Sequence, residues 1–384
     1  MNFWENIKDK KTLSVDIGSK HIRCVVSDGE EILKSYSFDS CGVEYGIISN
    51  EKAFRENIKN ILGNIASDFN LIPKNVLLTI STMEQNSASL SVVTYTKRAD
   101  GVITDLDIEN IKNNARKKID HLKDKIILHE IIIKNKVDGN IVLGEIKKYK
   151  GAKIESKVLF IYDDLHNYKI LKKVFESLNV EIDKILSGPL VEAENILTEK
   201  EKRLGTAVLN IGHHISSVCV YERGVPLLSS CINYGGEFIT SEIALLLRVD
   251  PDTAEDIKIN LNLKDYSKRK CEEIIENSIY KFSEEVNLEL SRIKRSGLLP
   301  GGIRIIGGSS GLNKIESYLK YDLKLPSINT FFDPKYSEMR GDLNYIKNYG
   351  ASRYSDNTTE MSIYKDMLKN NYLKVHSFVN KFMP

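Results

Sequence analysis

The sequence predicts an α/β protein made of two related halves, with a small α+β insertion in the first. Three observations carry this. A strand, glycine turn, strand pattern occurs twice, as LSVDIGSKHIRCVVSDGE near the start and as AVLNIGHHISSVCVYERG in the middle; apolar alternation and an Ile-Gly corner recur in both. Short apolar runs alternate with stretches of helical spacing along each copy. Between residues 82 and 157 the pattern shifts to a strand, a polar helix and a β-rich run punctuated by Gly139 and Gly144.

Taken in order, LSVDIGS is apolar up to Asp16, turns at Gly18 and Ser19, and returns as IRCVVS, which reads as a hairpin. Residues 52–65 place Phe54, Ile58, Ile61, Leu62 and Ile65 on one helical face, and 76–80 is a short buried strand. The opening thus reads strand, strand, helix, strand. In the insertion, 90–95 is a strand, 105–118 a helix with Ile108 and Ile111 inward, and 126–133 a further strand. A buried strand at 157–162 resumes the first half, followed by helices at 167–178 and 189–197. Residues 206–228 repeat the opening as strand, turn, strand, turn, strand. Short helices at 241–248 and 253–260 and a long one at 268–295 follow. The last carries Cys271, Ile274, Ile275, Ile279, Phe282, Val286 and Leu290 on one side. GGIRIIGGSSGL then reads strand, glycine-rich turn, helix start.

Composition excludes several classes. Fifty-five basic against 53 acidic residues leave +2, no excess of the kind that marks a nucleic-acid binder, and no nucleic-acid partner is expected. At 41% hydrophobic and 28% charged, the 384 residues suit a globular chain with a sizeable core, not a disordered one. The longest apolar runs, such as Ile243-Ala244-Leu245-Leu246-Leu247, fall far short of the roughly 20 residues of a spanning helix. The start, MNFWENIKDKK, has no signal-peptide core. Membrane contact is therefore expected to be peripheral. Cys24, Cys41, Cys219, Cys231 and Cys271 form no close pair with metal-ligand spacing and are expected as reduced thiols.

Three glycine turns sit at strand ends: Asp16-Ile17-Gly18-Ser19, Asn210-Ile211-Gly212-His213-His214 and Gly307-Gly308-Ser309-Ser310-Gly311. Glycine at such a corner lets backbone N–H groups approach a phosphate. A carboxylate beside it, here Asp16, can hold a hydrated Mg²⁺. One such turn is usually just a hairpin; three at strand ends, in two matching halves, are far more specific.

With those residues in view, the chain resembles the actin-like ATPase superfamily and, within it, the FtsA family of bacterial cell division proteins. LSVDIGSKHIR resembles the first phosphate loop, ILTEKEKRLGTAVLNIG the approach to the second, and GGIRIIGGSSGL the adenosine loop. CGVEYGIISN, VITDLDIENIKNNARK, ILHEIIIKNKVDG and YGGEFITSEIALLL with AEDIK resemble further stretches. The resemblance implies an actin-like (ribonuclease-H-like) two-domain fold with duplicated mixed-sheet halves and an FtsA-type inserted subdomain. The implied division is 1–81, 158–202 and a return helix at 342–354 for the first domain, with 82–157 inserted. Residues 203–240 and 301–341 make the second domain, with its small subdomain at 241–300; 355–366 is a linker and 367–384 an amphipathic helix.

The resemblance also implies ATP and Mg²⁺ as cofactors. Asp16, Gly18, Ser19 and Lys20 would meet phosphate and metal, Gly212 would belong to the second loop, and Gly235 and Gly236 would line the cleft. Glu255 and Lys258 would face ribose or purine, and Gly307, Gly308 and Ser309 would pass beneath the adenosine. On their own, Glu255 and Lys258 read as a solvated helix face with one weak ion pair. The second loop departs from the family: Asn210 stands where the family has Asp, so it brings no charge to a metal shell, and His213 and His214 replace bare backbone. Those imidazoles either obstruct phosphate, donate to it or turn to solvent. Hydrolysis is expected to be slow or absent.

In the tail, Leu368, Tyr372, Val375, Val379 and Phe382 recur at steps of 4, 3, 4 and 3, with Phe378 at the stripe's edge. The last twenty residues hold four lysines against one aspartate. That composition suits an anionic membrane surface; packing on the body or on a partner helix is the alternative. The family's partners would be the division polymer FtsZ, met through the small subdomain at roughly 241–299, and further copies of the chain. The expected place is the inner face of the cytoplasmic membrane at the division septum. The other reading is a PilM-like cytoplasmic protein of a pilus or secretion platform, which needs no membrane helix. A sugar kinase would need a catalytic base and intact loops, which the sequence does not display.

Overall fold

The computed structural model describes residues 11–28, 31–69, 74–119, 123–142, 144–260 and 266–330. The expected return helix, linker and C-terminal amphipathic helix, with all six membrane-facing candidates, lie outside the described residues.

The chain opens with β1 (Lys11–Ile17), β2 (His21–Asp28) and β3 (Glu31–Asp39), then a minimal hairpin of β4 (Val43–Glu44) and β5 (Ile47–Ile48), α1 (Glu51–Phe69) and β6 (Asn75–Ile80). The insertion supplies β7 (Asn86–Tyr95), α2 (Asp105–Arg116), β8 (Lys125–Val137), β9 (Asn140–Val142) and β10 (Lys153–Asp164). After it come α3 (Leu165–Ser177), β11 (Glu181–Ser187), α4 (Gly188–Ile196) and α5 (Glu199–Leu204). The second half holds β12 (Thr206–Ile211), β13 (Ser216–Glu222), β14 (Val225–Ile232), α6 (Gly236–Leu247), α7 (Pro251–Asn260), α8 (Lys268–Arg292), β15 (Ile303–Ile306), α9 (Ile315–Leu323) and β16 (Ser327–Asn329).

The two large sheets have the same plan. One runs β3-β2-β1-β6-β11 and the other β14-β13-β12-β15-β16. In each, the first three strands are antiparallel and the last two join in parallel. The parallel joins require crossovers, and helices supply them. The central strands β1 and β12 are buried almost end to end, as expected of strands covered on both faces. Each half keeps its own core: Val15, Phe54, Ile58 and Leu78 in the first; Leu209, Ile257, Phe282 and Ile305 in the second. The apolar side of α8 is buried from Cys271 to Leu290. Cys24, Cys219, Cys231 and Cys271 are buried and Cys41 is exposed, all as free thiols.

The structure adds elements that the residue pattern does not mark. β3 is a half-exposed edge strand, and β11 is buried only at its end, so neither shows an apolar run. The division expected between 157 and 158 falls inside β10. This strand pairs with β7 and β8 along its length and belongs to the insertion's sheet, β7-β10-β8-β9, not to the first half's. Its continuous burial arises because both faces are covered. Val158 and Phe160 join the core under α2, while Leu159 and Ile161 pack with α4, β12 and β13. No helix among the described residues is long and apolar enough to cross a membrane.

Candidate functional site

The ends of β1, β12 and β15 meet at one cleft of about 420 Å³ between the halves. Its lining includes Asp16, Gly18, Ser19 and Lys20 from the first half, Gly212, Glu255 and Lys258 from the second, and Gly307, Gly308 and Ser309 from the third turn. The sequence-selected residues are thus brought together from four separated segments.

The first two turns are near copies. Gly18 N donates to His21 O at 3.2 Å, and Gly212 N to Ile215 O at 3.1 Å. A Cβ on Gly18 would sit 2.7 Å from His21 O, and one on Gly212 2.5 Å from Ile215 O, so both corners exclude side chains. Gly307 adopts φ +97°, and a Cβ there would run into Asn210 Oδ1 and lie 2.5 Å from Ile211 O. A side chain at that point would be strained and would also block the approach of the third turn to the second. Gly308 has open space around it. The side-chain-free corners at Gly18 and Gly212 and the open Gly308 line the cleft where a phosphate-bearing ligand would lie, and Asp16, 3% exposed with Thr79 Oγ1 donating to it at 3.2 Å, supplies a hard oxygen donor of the kind a hydrated Mg²⁺ takes. The cleft fits nucleotide and metal on these grounds.

Gly235 and Gly236 do not line the cleft; they stand behind it, where α6 begins. Gly212 O accepts from Gly236 N at 2.9 Å and from Ser309 Oγ at 3.2 Å, which knits the second turn, α6 and the third turn together. A Cβ at Gly235 would press on the His213–His214 backbone, and one at Gly236 on Ser309. Glycine is needed there for close backbone packing.

Glu255 and Lys258 are more than a solvated pair. Their charges meet at 2.6 Å, with Lys258 5% exposed. Lys258 Nζ also donates to Gly236 O at 3.1 Å and Thr240 Oγ1 at 2.9 Å, and Thr240 Oγ1 donates to Glu255 at 2.5 Å. Burial pulls the Lys258 ammonium below its ordinary range, partly offset by Glu255. For Glu255, burial is outweighed by the donors Lys258 and Thr240, and its carboxyl is held low. The pair fixes α7 against the start of α6.

The two histidines face the cleft, not open solvent. The His214 ring stacks on Tyr45 with centroids 4.9 Å apart, its Nδ1 accepts from Tyr45 N at 3.4 Å, and its Nε2 lies 3.5 Å from Glu237. Tyr45 belongs to the β4–β5 turn, whose Gly46 N donates to Ser19 Oγ at 3.0 Å, so the second turn reaches the first through this hairpin. His213 lies against His214 at 4.5 Å, and burial, then His214, Lys20 and Lys258, bring its pKa down to about 4. It is a neutral imidazole at pH 7.

Sequence reasoning missed Glu192. This α4 residue is 2% exposed and lines the cleft; Asn210 Nδ2 donates to one carboxylate oxygen, and Ser217 Oγ approaches the other at 3.5 Å. Nothing in a helix reading LVEAENIL distinguishes Glu192 from a surface glutamate.

Known proteins resemble the chain by sequence and by fold. The family model "Cell division protein FtsA" matches residues 207–341. FtsA of Streptococcus pneumoniae serotype 2 is 24% identical over 328 residues, covering 77% of this chain and 70% of that protein. FtsA of Borreliella burgdorferi is 24% identical over 370 residues, covering 86% and 89%. Among solved structures, the PilM–PilN type IV pilus biogenesis complex superposes with a TM-score of 0.63 at 16% identity, over 90% of this chain and 96% of that one. MreB5 of Spiroplasma citri bound to ADP gives 0.54 at 14%, over 94% and 99%. By sequence over most of its length the chain is similar to FtsA cell division proteins, and by fold over nearly all of it to PilM and MreB5, an actin-like scaffold.

Proposed function

We propose that the chain is a nucleotide-binding, self-assembling adaptor that ties the division polymer FtsZ to the inner face of the cytoplasmic membrane at the septum. The observation that carries the nucleotide part is the convergence of three glycine turns, from two matching halves, on one cleft with Asp16 at its edge. ATP with Mg²⁺ is the ligand this arrangement suits best. Turnover is slow at most, since His213 and His214 stand in the second turn where the resembled family has bare backbone. The FtsZ contact is assigned to the α6–α8 subdomain. Leu245, Leu246 and Leu288 are exposed there, which suits an apolar peptide. The stripe of Leu368, Tyr372, Val375, Phe378, Val379 and Phe382, edged by lysines, supports the membrane role. One short helix binds weakly, and self-assembly multiplies its attachment.

Sedimentation of FtsZ from the same organism with anionic vesicles tests this. The full chain should carry FtsZ into the pellet, and a version ending at Asn357 should bind FtsZ but leave it in solution. Equal pelleting by both removes the tether role; no FtsZ binding by either removes the adaptor role. A second reading, a PilM-like platform protein, is favoured by the structural match over nearly the whole chain. It predicts no lipid binding by the tail and no FtsZ capture.

A further inference from the structure

The internal repeat makes Asp16 and Asn210 equivalent. Each stands two residues before the corner glycine of its hairpin, and each pairs with the strand opposite, Asp16 with Arg23 and Asn210 with Ser217. The first half therefore presents a carboxylate at this point and the second an amide. Yet a carboxylate is present beside the amide. Glu192 reaches it from α4, lines the same cleft as Asp16, and is gripped by the Asn210 side-chain amide. An aspartate at 210 could not donate that hydrogen bond and would set two like charges side by side. Asparagine at 210 and glutamate at 192 form a compatible pair: the charge has moved from strand to helix, and the amide left behind holds it in place.

We propose that Glu192 supplies the cation-facing carboxylate that Asn210 of the second half does not. Together with Asp16 it holds a hydrated divalent cation at the phosphate end of the cleft, and Asn210 is the residue that positions it. This rests on the reading of the cleft as a nucleotide site. Two hard carboxylates lining one cleft suit Mg²⁺, which keeps most of its water and is gripped jointly by carboxylates and phosphate.

The test is equilibrium binding of a fluorescent ATP analogue to the full chain, with Mg²⁺ and with EDTA, read as the ratio of the two affinities. Circular dichroism and thermal melts confirm that each variant is folded. Glu192→Gln should lower the ratio about tenfold. The double variant Asn210→Asp with Glu192→Gln returns the charge to the strand and should recover most of the ratio. A folded Glu192→Gln protein that keeps the parent's ratio, while Asp16→Asn loses it, overturns the proposal. So does a double variant no better than Glu192→Gln alone. Failure of the parent to bind nucleotide under either condition is a different result: it overturns the nucleotide reading, and this proposal with it.

Discussion

Gly307 and Gly308 are neighbours with opposite tolerances. At Gly307 the backbone is left-handed and a Cβ would strike Asn210, whereas at Gly308 a Cβ meets nothing within 4 Å. Gly307→Ala should cost about 2 kcal/mol or more in urea denaturation, from the strained φ and the displaced second turn. Gly308→Ala should stay within about 0.5 kcal/mol of the parent. Equal stabilities would mean that the third turn shifts without cost. A second residue-scale prediction concerns His129 on β8, which is buried and accepts a hydrogen bond on Nε2 from Ser187 N at 3.0 Å. Burial, then Lys184, depresses its pKa to about 4. Because the folded value lies below the unfolded one near 6.5, the unfolded chain takes up the proton first. Stability is therefore complete above pH 6.5 and falls as the pH drops toward 4, by about 3 kcal/mol from this group. Urea midpoints between pH 7.5 and 4.5 should show the decline. His129→Gln keeps an acceptor without a titrating ring and should flatten it.

The β4–β5 hairpin is the element through which the first two glycine turns touch. Tyr45 and Gly46 both have positive φ, the pairing that a two-residue hairpin turn with right-handed twist demands. Tyr45 pays conformational strain as a non-glycine residue in that region, and the contact with His214 sits at the same residue. His214→Ala should therefore loosen the hairpin. Amide hydrogen exchange across residues 43–48 should quicken about tenfold while α1 remains protected; unchanged exchange would show that Tyr45 is held by its own half alone. The sequence announces neither this bridge nor Glu192, for one physical reason. Periodicity and glycine corners are local signals, and they made β1, β2, β12, β13 and the three turns legible. Tyr45 with His214 and Glu192 with Asn210 are contacts between distant segments, set by how sheets and helices dock. β3 and β11 escaped for a related reason: an edge strand need not be apolar to pair. The Asn210 substitution was legible, but its consequence was not, because the compensating charge comes from a different element.

At the scale of the whole molecule, the insertion is fastened to both halves and not hung from one. Asp163 on β10 accepts from Thr82 Oγ1 at 2.6 Å and Gln85 Nε2 at 2.9 Å; burial raises its pKa against those donors. Gln85 Oε1 accepts from Ser187 Oγ at 2.8 Å, which lies 3.1 Å from Ser229 Oγ on β14. Ser229 N donates to Ser87 Oγ at 2.9 Å, Cys231 N to Gln85 O at 3.0 Å, and Arg292 on α8 to Ser87 O at 2.8 Å. This buried chain of polar contacts runs from the first half through the base of the insertion into the second. Partly satisfied, such a network would be costly, so its members are expected to form and break together. The cleft draws its walls from both halves as well, so a ligand there should stabilise them as a unit. With the proposed Mg²⁺–ATP as that ligand, a hundredfold excess over its dissociation constant should add about 2.7 kcal/mol. For a chain of this size that corresponds to a rise in melting temperature of about 3 °C. Calorimetry should show one transition moving upward, with exchange protection gained on β1 and β12 alike. A split transition, with only one half moving, would mean that the halves fold independently and that the ligand touches one of them.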